Sequence, residues 1–166
     1  MVLGMSLATF TLVHVLISLI GIFSGLIVAY GLLAAKPLNG STATFLTTTV
    51  LTSLTGFLFP VEHLLPSHIV GIISLVVLAL AIFARYGGHL AGSWRWIYVV
   101  TALVALYLNC LVAVVQSFMK ISALKALAPT RKEPPFLIAQ IALMVLFIVL
   151  GIFAVRNFRV TRLAAA

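Results

Sequence analysis

Aspartate is missing from all 166 residues, and Glu62 and Glu133 are the only side-chain carboxylates. With so few acids the sequence offers no plausible Ser-His-acid arrangement, which argues against hydrolase activity. A phosphate-cradling glycine loop and an HExxH helix are also absent, so nucleotide-driven work and metalloprotease chemistry are excluded by motif. The single cysteine, Cys110, excludes an intramolecular disulfide and a cysteine-based zinc site; it sits in an apolar run and reads as inert packing. Charged residues make up 7% of the chain, against about 25% in a soluble domain.

What is there instead is hydrocarbon. Hydrophobic residues make up 64% of the chain and the mean hydropathy is +1.31, spread over several long apolar runs. No soluble core of this size hides so much apolar surface, so lipid must solvate most of the chain. With about 20 residues needed to cross the bilayer, the sequence predicts an all-α integral membrane bundle of about five transmembrane helices. They are expected at roughly 8–34, 43–65, 67–86, 94–120 and 136–156, forming one bundle over 1–166. The first run holds no Lys or Arg and is too long for a signal-peptide h-region, so it is read as a helix of the bundle.

The breaks between runs carry turn chemistry. Lys36-Pro37-Leu38-Asn39-Gly40-Ser41 and Gly87-Gly88-His89-Leu90-Ala91-Gly92-Ser93 read as capped turns, Pro60 and Pro66 bracket a short corner, and Ser67 can cap the third helix. A shift of about 52 residues lays Leu38-Asn39-Gly40-Ser41 over Leu90-Ala91-Gly92-Ser93, suggesting two similar hairpins, 8–65 and 67–120, plus a fifth helix.

The net charge of +8 comes from ten Lys and Arg placed in ones and twos between spans. That pattern anchors helices in a membrane and does not bind nucleic acid. One side carries Lys36, Arg85, Arg95, Arg156, Arg159 and Arg162; the other carries Lys120, Lys125, Arg131 and Lys132. Six against four favours a cytoplasmic C-terminus and an external N-terminus. Tyr30, Tyr86, Trp94, Trp96 and Tyr98 are expected to belt the inner face.

Polar residues inside the spans fall on stripes. His14, Ser18, Gly21 and Gly25 share one face of the first helix, with Gly21 and Gly25 forming a GxxxG seam. Thr48, Thr52, Thr55, Phe59 and Glu62 align on the second, and Asn109, Gln116 and Lys120 on the fourth. Intramembrane polar groups turn inward, so these stripes are expected to face one another. Because helices alternate in direction, His14, Glu62, His63, His68, Gln116 and Gln140 converge on the outer leaflet, while His89 lies opposite.

Three imidazoles and a carboxylate, His14, Glu62, His63 and His68, are a sufficient ligand set for a transition metal. His14 with His68 is the pair suited to one b-type haem, and a quinone headgroup is the third ligand such a cluster fits, with Asn109, Gln116 and Gln140 as supporting polar groups. The structural alternative is that these groups are solvated at the interface or bridge helices. On this reading the chain serves electron transfer and is not an enzyme on its own. Two alternatives stand beside it. One is an accessory or assembly subunit that packs on other membrane subunits, or on itself, through the Gly21/Gly25 face. The other is a proton or small-solute pathway, although the midplane is nearly bare apart from Asn109.

Two stretches carry a family likeness: Phe59-Pro60-Val61-Glu62-His63-Leu64-Leu65-Pro66-Ser67-His68, and Ala126-Leu127-Ala128-Pro129-Thr130 with Glu133-Pro134-Pro135-Phe136. They resemble a family of small multi-helix integral membrane proteins of proteobacteria that has no established activity. The chain also resembles, more loosely, the b561-like cytochromes, which pair histidines at two haem sites where this chain has candidates for one. The resemblance implies a bacterial inner membrane.

Overall fold

The computed structural model describes residues 2–60 and 66–158. The chain is all-α: α1 Leu7–Leu33, α2 Asn39–Gly56, α3 Pro66–Ile82, α4 Ser93–Lys120, α5 Ser122–Leu127 and α6 Pro134–Asn157. A π-helical turn, Phe83–Gly87, continues α3. Ser6 caps α1 by accepting a hydrogen bond from the Thr9 amide, and Pro134 and Pro135 open α6, where the missing N–H groups cost nothing.

Among the described residues four helices, not five, are long and apolar enough to cross a membrane: α1, α3 with its π turn, α4 and α6. They are four candidate membrane spans, the pattern of a multi-pass membrane protein. The expected second span, 43–65, is corrected in both extent and character. α2 starts earlier, at Asn39, and stops at Gly56 after 18 residues. Phe57 and Leu58 close a tighter turn on the carbonyls of Leu54 and Thr55, and Pro60 cannot continue a helix. Seven of its residues are threonine, which is why it lacks the apolarity of a span. Their hydroxyls turn back on the helix: Thr48 donates to the Thr44 carbonyl and Thr55 to the Leu51 carbonyl, each at 2.7 Å.

The two turns expected to carry helix caps offer none from a side chain: Leu38 precedes the first turn of α2, and Gly92, at φ 51°, precedes α4. Ser67 lies inside α3, which opens at Pro66. The connection 121–135 contains a helix that hydropathy did not foresee, the six-residue α5.

Contacts fix the packing. α2 runs antiparallel to α1, with Thr55 against His14, Thr48 and Thr49 against Gly21, and Phe45 against Gly25. α4 is the central helix, touching α1, α3 and α6. Its aromatic pairs with α6, Tyr107–Phe147 and Phe118–Phe136, set an antiparallel register. The Gly21/Gly25 seam is as expected: both glycines are buried, and a Cβ on Gly25 would stand 2.5 Å from Leu106 Cδ1 and 2.9 Å from the Phe45 ring. The core is built from Val28, Leu32, Phe45, Leu46, Leu78, Leu103 and Leu106 with small residues between.

At the end of the bundle where α2 begins, Arg85 is buried in the π turn. Its Nη2 donates to Asn39 Oδ1 at 2.6 Å and its guanidinium lies 5.1 Å from the Tyr98 ring centroid. No carboxylate accompanies it among the described residues, so one amide oxygen and the Tyr98 ring, with the Tyr86 ring at 5.8 Å, hold the cation. This removes Tyr98 from the expected aromatic belt: it is 1% exposed and belongs to the core. Tyr30, Tyr86 and Trp96 are exposed as expected, while Trp94 packs edge-on against Phe83 at 4.9 Å.

Candidate functional site

The opposite end of the bundle, where α2 stops, holds the two described histidines of the expected cluster. His14 is half-buried on α1, and its Nδ1 lies 2.7 Å from Thr55 Oγ1. The Thr55 hydroxyl spends its one proton on the Leu51 carbonyl. His14 therefore donates through Nδ1–H, and no hydrogen bond engages its Nε2 among the described residues. Phe59 stands edge-on to the imidazole at 5.2 Å, and Phe10 packs on Phe59 at 5.0 Å. The ring is thus oriented by a hydroxyl and walled by the Phe59 ring, which Phe10 backs.

His68 opens α3 and is buried, with its ring 5.5 Å from that of Phe57. Thr55 and Phe57 are two residues apart on a helical turn, so they point to nearly opposite sides. His14 and His68 accordingly contact opposite flanks of the end of α2: they share one end of the bundle but meet different walls. Glu62 and His63 lie outside the described residues. Among the described residues, no three His, Cys, Asp or Glu side chains gather closely enough to hold a metal ion.

The supporting residues divide. Asn109 Nδ2 donates to Thr49 Oγ1 at 3.3 Å and sits against Gly21, so it bridges α4 to the α1–α2 seam. Gln116 is exposed on α4, as is Lys120, so that stripe turns inward only at Asn109. Gln140 is partly buried on α6, and its Oε1 has no hydrogen-bond partner among the described residues. Thr52 Oγ1 is the other buried polar atom without one among those residues. Asn157 Nδ2 donates to the Leu33 carbonyl, which sets α6 alongside α1. Counting back from that contact at ~1.5 Å per residue puts Gln140 level with the turn of α1 after His14. Thr52, one turn before Thr55, lies at the same level.

An oriented imidazole and two unsatisfied buried oxygens thus lie within about one helical turn of one another along the bundle. Each unpaired buried group costs about 1–3 kcal/mol. Sequence reasoning reached His14 and Gln140 through helix period and depth. Thr55 entered only as part of a stripe, because no local signal pairs a threonine with a histidine 41 residues away.

No protein-family model, curated protein or solved structure matches this chain. Of the family likeness, what stands is a small helical protein with four long apolar helices.

Proposed function

We propose that the chain is a small bacterial inner-membrane protein, N-terminus outside, that binds a quinol headgroup on His14 and serves electron transfer. The observation that carries this reading is the His14–Thr55 hydrogen bond, which leaves Nε2 as an acceptor for a quinol hydroxyl. The Phe59 ring, with Phe10 tilted against it, supplies an apolar wall, and Gln140 Oε1 and Thr52 Oγ1 are unpaired polar atoms within about one helical turn of His14 along the bundle. A single oriented imidazole suits a quinol better than a bis-histidine haem, whose two ligands must face each other across the iron.

The test is binding of a short-tailed ubiquinol to the detergent-purified chain, with an optical spectrum and metal analysis of the same sample. Saturable 1:1 binding is expected, weakened at least ~10-fold in His14→Ala and ~5–10-fold in Thr55→Val, about the value of one hydrogen bond. Non-saturable partitioning equal in both variants would overturn it. A Soret band abolished by His14→Ala would assign haem in its place, and stoichiometric metal would assign a metal site.

A second reading, an accessory subunit, is favoured by one observation. The face of α6 formed by Ile138, Ile141, Val145 and Val149 is exposed along its length. Co-purification of a stoichiometric membrane partner lost in Ile141→Trp would select it.

A further inference from the structure

A groove of about 550 Å³ runs between α4 and α6, on a different face of α6 from that of Ile141 and Val145. Its walls are apolar, among them Leu103 and Tyr107 of α4 with Phe147 and Val155 of α6, and it ends at Arg156. Two features make it accessible. A Cβ on Gly151, midway along, would meet nothing within 4 Å, so the absent side chain leaves open space. Arg156 is exposed and makes no hydrogen bond or ion pair among the described residues, whereas Arg95 beside it donates to the carbonyls of Val155 and Phe158.

We propose that this groove seats an acyl chain of an anionic phospholipid whose phosphate rests on Arg156. Length and charge select that occupant. From Arg156 to Met144 the groove spans ~18 Å of helix, close to one leaflet of a hydrocarbon core ~30 Å thick. The end of the bundle that holds Arg156 also carries Lys36, Arg85 and Arg95, and no carboxylate among the described residues. A second copy of the chain in the same orientation would bring like charges together at that end. A free anion would find one arginine and no use for the apolar walls.

The test is native mass spectrometry of the full chain in mild detergent with dioleoyl phosphatidylglycerol or dioleoyl phosphatidylcholine. One phosphatidylglycerol per chain is expected, held about fivefold more tightly than phosphatidylcholine. Arg156→Gln, a surface change that leaves the fold alone, should remove that preference and retain the weaker binding. Gly151→Leu should fill the groove and abolish the binding of both lipids. Equal affinity for the two lipids in the unmodified chain would overturn the proposal. So would an unchanged preference in Arg156→Gln, displacement by millimolar inorganic phosphate, or dimers cross-linked through a cysteine placed at residue 151.

Discussion

α2 and α6 make opposite bargains with their surroundings. α2 is the most polar long helix, with seven threonines and two serines, yet it buries Thr42, Phe45, Leu46, Thr49 and Ser53 against its neighbours. α6 is nearly all apolar over 24 residues and buries only Phe147 and Ala154. In water the order would be reversed. Lipid is as apolar as leucine, so a hydrophobic face gains nothing by turning toward protein, whereas hydroxyls, amides and closely approaching backbones do. Inside this bundle, polarity and small size mark the surfaces that pack, and hydrophobicity marks those left outside.

The sharpest way to break that contrast is to charge the helix that looks least important. Val145 is half-exposed on α6 and touches little, so Val145→Lys would be mild in a soluble protein. Facing lipid, it should cost about 2.5–3.5 kcal/mol in a membrane-insertion assay. Insertion equal to that of the unmodified chain would show that this face does not meet hydrocarbon.

The next effect separates two glycines. Gly25→Ala forces a methyl group onto Leu106 and Phe45 and should destabilise by about 1–3 kcal/mol in reversible detergent unfolding. Gly151→Ala, in open space, should stay within about 0.5 kcal/mol. Equal losses would mean that α6 is packed as tightly as the α1–α2 seam.

A smaller effect concerns the bridge from α4 to α2. Removing the Asn109–Thr49 hydrogen bond should cost about 0.6 kcal/mol, read as the coupling in an Asn109→Leu, Thr49→Val double-mutant cycle. A coupling near zero would leave Asn109 as an incidental neighbour of the seam.

The smallest effect lies outside the spans, at the start of α6. Slight desolvation raises the Glu133 carboxyl, but hydrogen bonds from the Thr130 hydroxyl and amide and from the Lys132 amide outweigh it, so the group sits below the usual carboxylate range. A depressed folded value stabilises the turn above the unfolded carboxylate pKa, and that contribution is lost as pH falls through the folded one. Hydrogen exchange at the Thr130 and Lys132 amides should gain protection as pH rises through that window, after correction for intrinsic exchange, and Glu133→Gln should remove the dependence.

The contrast also explains which features were legible. The Gly21/Gly25 seam and the inward turn of His14 come from helical period, and four of the spans come from apolar length. α2 was misread because hydropathy tolerates threonine, so 43–65 looked long enough to cross when its polarity was the sign of a helix built to pack. The Arg85–Asn39–Tyr98 contact could not be read, because its members are distant in sequence and Arg85 is aimed by a π turn that no residue pattern announces. The groove was equally hidden, since α6 is apolar all round and its sequence does not distinguish the face against α4 from the rest.

That π turn has one more consequence. A π turn closes its hydrogen bonds five residues apart instead of four, so it takes in one residue more than an α-helical turn. The extra residue rotates the downstream chain by about 100°. Deleting one residue from Phe83–Gly87 would let α3 run on as regular helix and swing the guanidinium now held by Asn39 and Tyr98 round the helix axis. A single codon's length thus decides whether the buried cation is a strut between three helices or a charge the bundle must find another place for.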